Sequence, residues 1–215
     1  MNIVVKDILC KEETFTLTNQ RVLFWNRENA LILSDVHIGK SATFRKHGIP
    51  VSKKVLEEDL RRLSQLIAHF SVEKLIVVGD LFHAEYNKDI DYFNHWLQTV
   101  PVQIELIVGN HDRSTDRFYE SLKLNVFSKE KISTSIRFVH EETQPDIDYF
   151  TISGHTHPGV LIKGKGRQRI KLPCFQVTEH QLILPAFSKF TGFNIGNAPK
   201  DCVCYAFTES SIVQI

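Results

Sequence analysis

The sequence predicts an α/β fold, written α+β in some schemes. Three observations predict it. Apolar runs of strand length recur at 30–33, 75–78, 104–108 and 149–153. Between the first two lies a longer stretch with apolar residues at helical spacing: Val55, Leu56, Leu60, Leu63, Leu66, Ile67 and Phe70. From Ile136 onward the pattern becomes short strands broken by Gly and Pro turns, which predicts antiparallel pairing in that half.

In chain order, residues 14–18 and 21–25 read as a hairpin around Asn19-Gln20. The run Ala30–Leu33 reads as a buried strand. Residues 39–54 contain no acidic side chain but carry Lys40, Arg45, Lys46, Lys53 and Lys54. This stretch leaves the first strand end, so it reads either as a phosphate-binding rim or as a solvated loop. Ser52 opens a helix over 53–70, and the next strand completes a right-handed β-α-β unit. A second helix is expected over 90–99, stopping before Pro101. A strand follows, then a short helix near 114–122 and a strand at 136–139. Residues 160–172 read as a hairpin turned by Gly164 and Gly166, with Lys163, Lys165, Arg167, Arg169 and Lys171 alternating along it.

The residues just after each apolar run carry the chemistry. The first run ends in Ser34-Asp35-Val36-His37, the second in Gly79-Asp80, the third in Gly109-Asn110-His111-Asp112 and the fourth in Gly154-His155-Thr156-His157. The strand at 136–139 ends in His140. Carboxylate oxygens and imidazole nitrogens at strand mouths suit divalent metals. A lone Asp-x-His is weak; four such endings in this order are specific.

This ordered set resembles the calcineurin-like metallophosphoesterase superfamily, over nearly the whole chain from about Thr14. Residues 33–50, Gly79-Asp-Leu-Phe-His83 and 184–192 (Leu-Pro-Ala-Phe-Ser-Lys-Phe-Thr-Gly) resemble the bacterial DNA-ligase-associated subfamily. The resemblance implies a calcineurin-like four-layer β-sandwich flanked by helices, with a metal site at the C-terminal ends of the strands. It implies that Asp35, His37 and His157 hold one divalent metal and Asn110, His140 and His155 a second, with Asp80 bridging them. It implies manganese as the metal, although an N/O donor set also accepts iron or zinc. A hydroxide shared by the two metals would attack phosphorus. His111 would serve the leaving group as proton donor or charge stabiliser, with Asp112 holding its ring and favouring the charged form. Lys40, Arg45, His83, Lys163, Lys165 and Arg167 are the candidate substrate-binding residues. The implied activity is a phosphodiesterase or nuclease on nucleic acid, in DNA repair, in functional association with a ligase and a helicase.

Composition sets the outer bounds. At 215 residues with net charge +1, the chain reads as one domain over 1–215 without room for a cap domain. Near-neutral charge means any nucleic-acid affinity must come from local clusters. No apolar run reaches membrane-spanning length, and the N-terminus lacks a signal-peptide pattern. Cys10, Cys174, Cys202 and Cys204 read as free thiols in a reducing cytoplasm, with Cys202 and Cys204 on one face of a strand. His47, His69, His95 and His180 have no motif context and are assigned no role. Two competing readings stand beside a nucleic-acid phosphodiesterase: a hydrolase of small phosphoesters such as cyclic nucleotides, and a catalytically dead scaffold. The scaffold reading calls for missing ligands, whereas every motif position is filled.

Overall fold

The computed structural model describes residues 1–215 apart from 53, 84, 85, 142, 143, 145 and 197. Lys53, expected in the basic stretch and as the first helical residue, lies outside the described residues.

Two sheets form the body. The first runs β1 (Val5–Cys10), β2 (Glu13–Thr18), β3 (Leu23–Trp25), β4 (Ala30–Leu33), β5 (Lys74–Val78), β6 (Gln103–Ile107) and β7 (Asn125–Phe127), adjacent in that order. The strands from β1 to β4 pair antiparallel, and those from β4 to β7 pair parallel. Helices α1 (Lys40–Lys46) and α2 (Lys54–Phe70) lie between β4 and β5 in the chain. Helix α3 (Lys88–Leu97) lies between β5 and β6, and α4 (Asp116–Ser121) between β6 and β7.

The second sheet uses β8 (Glu130–Ser133), β9 (Ile136–Val139), β10 (Phe150–Ser153), β11 (Gly159–Lys163), β12 (Arg169–Val177), β13 (Gln181–Ile183), β14 (Val203–Phe207) and β15 (Ile212–Gln214). Its order is β15-β14-β12-β13-β10-β9-β8, with β11 paired to β12.

The apolar runs are continuous because both faces of these strands are buried. Leu31 and Leu33 of β4, with Leu75 and Val77 of β5, face α2 and α3. Their neighbours Ala30, Ile32, Ile76 and Val78 face the second sheet, against Phe138, Phe150, Ile152 and Phe175. Helix α2 docks through Leu56, Leu60, Leu63, Leu66 and Ile67, as its spacing requires. The result is a sandwich of two mixed sheets, with helices on the outer face of the first. The helices with buried apolar faces pack on the first sheet. On the outer face of the second sheet, Val160 of β11 and Leu172 of β12 pack over a small cluster of Cys174, Cys204 and Ala206. No described helix is long and apolar enough to cross a membrane.

Several boundaries differ from expectation for local reasons. Helix α3 starts at Lys88 and ends at Leu97, because the Asn87 side chain accepts the Asp89 N–H at 3.0 Å and caps it. The basic stretch after His37 forms α1. Strands β1, β7 and β8 have no clear sequence signal; β7 and β8 are short and largely exposed.

One difference matters for the site. The second half is not purely antiparallel, since β9–β10 and β10–β13 pair parallel. Antiparallel neighbours would have sent the ends of β9 and β10 to opposite edges of the sheet. Parallel pairing puts His140 and the pair His155/His157 at the same edge.

Candidate metal centre

The C-terminal ends of β4, β5 and β6 lie side by side in the first sheet. Those of β9 and β10 meet them from the second. The five strand endings that carry candidate ligands therefore converge. Asp35, His37 and His157 form one group whose ligand-capable atoms lie within 4.8 Å of one another, and Asp80, His140 and His155 form another. In the first, His157 Nε2 lies 3.0 Å and His37 Nε2 4.0 Å from Asp35 Oδ1. In the second, His140 Nε2 lies 3.4 Å from Asp80 Oδ1. Asn110 Oδ1 is 3.1 Å from both His140 Nε2 and His155 Nδ1. Asp80 reaches both groups, because its other oxygen is 3.9 Å from His37 Nε2.

The backbone is bent to achieve this. Asp35, His37, Asp80, His155 and His157 all have left-handed φ, between 49° and 65°. Such conformations cost non-glycine residues about 1–3 kcal/mol each and persist where the surroundings over-determine them. Here the loops brace one another. The N–H groups of Asp35, His37 and Ile38 donate to the carbonyls of Gly79, Asp80 and Leu81 at 3.1, 2.9 and 2.8 Å. The glycines before Asp80 and Asn110 also have a reason. A Cβ at Gly79, itself at φ +80°, would lie 2.0 Å from His140 Nδ1, and one at Gly109 would lie 2.3 Å from Asp80 Oδ1.

The donor set fits a cation. Asp35 Oδ1, His37 Nε2 and His157 Nε2 are buried without a hydrogen-bond partner, yet they face one another. A buried carboxylate oxygen and two imidazole nitrogens brought together without a hydrogen bond among them are costly unless a positive ion lies among them. His140 Nδ1 is 3.0 Å from the Val78 carbonyl, which leaves Nε2 to point into the group. Burial, helped by Lys40, pushes the His37 pKa down to about 3, so its ring is the neutral form that a metal would need. Burial opposes charge on His140 as well. The hydrogen bond and charge of Asp80 outweigh it and lift His140 to about 9. Burial would raise Asp80, but the same pairing holds it at about 2.

His111 joins neither group. Its N–H donates to Asp80 Oδ1 at 2.9 Å, and its ring stacks on His83 with centroids 4.8 Å apart. Both rings meet the His37 ring edge-on at 5.3 Å. The structure corrects the expected role of Asp112. Its two carboxylate oxygens accept the N–H groups of Phe82 and Gly109, at 2.8 and 2.9 Å, and make no hydrogen bond to the His111 ring. Asp112 thus fastens the loop after β5 to the loop after β6. Burial raises its pKa to about 6 despite those two donors.

The substrate candidates divide. Lys40 sits at the rim, 3.4 Å from Thr191 Oγ1 and within the fields of Asp35 and Asp80. His83 faces the centre beside His111. Arg45 does not: Asp89 at 3.1 Å and Ser41 Oγ at 3.2 Å hold it between α1 and α3, so its charge is already compensated. Lys163 ends β11, and Lys165 and Arg167 lie in the exposed turn before β12. The register pairs Lys163 with Arg169 and Leu161 with Lys171, placing three cations on one face of this hairpin. The hairpin starts two residues after His157. Asn110 and His155 are exposed, so the centre opens to solvent. The motif at 184–192, whose residues have no individual role on sequence grounds, runs behind Asp35. There the Phe187 N–H donates to the Ser34 carbonyl at 2.9 Å and the Ser188 N–H to the Asp35 carbonyl at 3.3 Å.

The sequence profile of the family described as calcineurin-like phosphoesterase matches residues 29–171. Comparison with curated proteins gives no match. Among solved structures, the nuclease MPE of Pseudomonas putida is similar with a TM-score of 0.83 and 27% identity, over 99% of this chain and 100% of that one. The protein of unknown function AQ665 from Aquifex aeolicus gives a TM-score of 0.45 and 16% identity, over 64% and 82% of the two chains. That likeness is too slight to carry an argument.

Proposed function

Because this chain belongs to the calcineurin-like phosphoesterase family, we propose that it is a metal-dependent phosphodiesterase acting on nucleic-acid phosphates, with DNA repair as its setting. One observation carries the reading: Asp80 touches both ligand groups, as a carboxylate shared between two ions must. The likeness to a nuclease supports the substrate class. Asp35, His37 and His157 would hold one ion, Asn110, His140 and His155 the second, and Asp80 both. Manganese is the metal proposed. When bound, such ions neutralise charge on a phosphoester and lower the pKa of water enough to supply a nucleophile at neutral pH.

The protein's own groups do the rest. Lys40 offers a cation to a non-bridging phosphate oxygen. His111, oriented by its stack on His83, presents its protonated ring to the departing oxygen, gives that oxygen the proton and is left as neutral imidazole. The hairpin cations steer a polyanion toward the open side of the centre. A ligase and a helicase are the functional partners implied by the sequence resemblance. The four cysteines are all thiols rather than disulfides, which suits a reducing compartment and supports a cytoplasmic setting.

The test compares metal-stripped protein with protein refilled with Mn²⁺, on an aryl phosphodiester and its matching monoester. Diester turnover that appears only with metal is the expected result. A strong preference for the monoester would make the protein a phosphatase. Mn²⁺ at about a hundred times its Kd should also add about 2.7 kcal/mol of stability for each site filled. For a chain of this size that is roughly 5–10 °C in Tm.

A second reading, hydrolysis of small phosphoesters, is favoured by Arg45, whose charge is already compensated by Asp89 and so is not offered to a polyanion. The hairpin separates the two. Replacing Lys163, Lys165 and Arg167 together by Gln should lower kcat/KM for single-stranded DNA relative to the aryl diester. The salt dependence of DNA binding should flatten by up to about 2 in slope. An unchanged ratio would favour the small substrate.

A further inference from the structure

A buried charge cluster lies behind Asp35, and it grips main chain. On α2, Asp59 and Arg62 are one turn apart, 4% and 5% exposed, and paired at 3.0 Å. Arg62 Nη2 donates to the Phe187 carbonyl, and its guanidinium carbon sits 4.1 Å above the Phe187 ring. Arg21 Nη1 donates to the carbonyls of Ala186 and Ser188, each at 3.0 Å. Asp59, through its ion pair, holds the Arg62 guanidinium in place. Every carbonyl from Ala186 to Ser188 therefore ends on a guanidinium. The same three residues lie along Ser34 and Asp35: Ala186 bridges to Ser34, and the N–H groups of Phe187 and Ser188 donate to the Ser34 and Asp35 carbonyls.

If this cluster served packing alone, it would be an expensive choice. A buried ion pair is often replaced by apolar side chains without loss of stability. Apolar side chains cannot hold three carbonyls. Asp35, at φ +57°, needs its surroundings to keep it bent.

We propose that Arg21, Asp59 and Arg62 are positioning residues that lock Asp35 in its ligating conformation through the Ala186–Ser188 backbone. The proposal rests on the reading of Asp35 as a metal ligand. Partners behind a ligand are worth about 10–100-fold in metal affinity.

The test is calorimetric titration of metal-stripped protein with Mn²⁺, alongside metal-free thermal melts. The variants are Arg21→Met and the double change Asp59→Leu with Arg62→Met, which strands neither charge. Asp35→Asn marks which binding step belongs to that ligand. The expected result is a metal-free melt that stays cooperative, with the Asp35 step weakened about 10–100-fold and the other step unchanged. Wild-type affinity in the folded variants would overturn the proposal and make the cluster merely structural. Should the double variant not fold, Arg21→Met decides by the same criterion, because Arg21 is only partly buried. A wild-type protein that takes up no Mn²⁺ would instead overturn the ligand reading of Asp35, and the proposal with it.

Discussion

Asp80→Asn is expected to lower kcat/KM on a phosphodiester by about 10³-fold or more at saturating Mn²⁺. Asp80 is the side chain within reach of both ligand groups, and it is buried among them. The amide keeps the shape, and its oxygen still accepts the His111 N–H, so the loop survives. What disappears is the negative charge that two cations would share. Charge stabilisation by metals in such sites is worth several kcal/mol. At 1.36 kcal/mol per tenfold, about 4 kcal/mol corresponds to three powers of ten. Metal content measured on the same sample should fall below the wild-type stoichiometry. Activity within tenfold of wild type would remove Asp80 from the centre of the mechanism.

His111→Ala is expected to lose about 10²–10⁴-fold in kcat while binding Mn²⁺ as wild type does. The ring belongs to neither ligand group but stands 5.3 Å from the His37 ring. What ties this residue to the site's frame is its backbone N–H on Asp80, which alanine retains. The loss should be smaller for a substrate whose leaving group is a good one, such as a nitrophenolate, because that oxygen needs no proton. Loss of a metal ion in this variant would reassign His111 as a ligand. Since Asp112 spends both oxygens on backbone N–H groups, the ring must be oriented by its stack on His83. His83→Ala therefore loosens His111 and leaves Asp112 untouched.

Much of the molecule is readable along the chain. Apolar runs buried on two faces look the same in one dimension as in three, so β4, β5 and β6 and the helix between the first two stand out. The Gly-ligand pairs stand out as well, and packing explains them: at Gly79 and Gly109 a ligand from a neighbouring loop occupies the space a side chain would need. Arg45 and Asp112 depart from the roles their sequence neighbourhood suggests, for one shared reason. Proximity in sequence to Asp35 or His111 says nothing about which group a side chain meets. Asp89 lies 44 residues from Arg45, and the Phe82 N–H lies 30 residues from Asp112.

Residue order alone was enough for the alternation of strands and helices and for the candidate oxygen and nitrogen donors in their order along the chain, because those depend on local periodicity and side-chain chemistry. Three-dimensional packing decided the rest. It set β9 and β10 parallel, so that His140 and His155 share an edge. It also held five donor residues at left-handed φ, and it set buried guanidinium groups on the carbonyls behind Asp35. Each of these is a contact between distant segments, and its free energy exists only once both segments are in place.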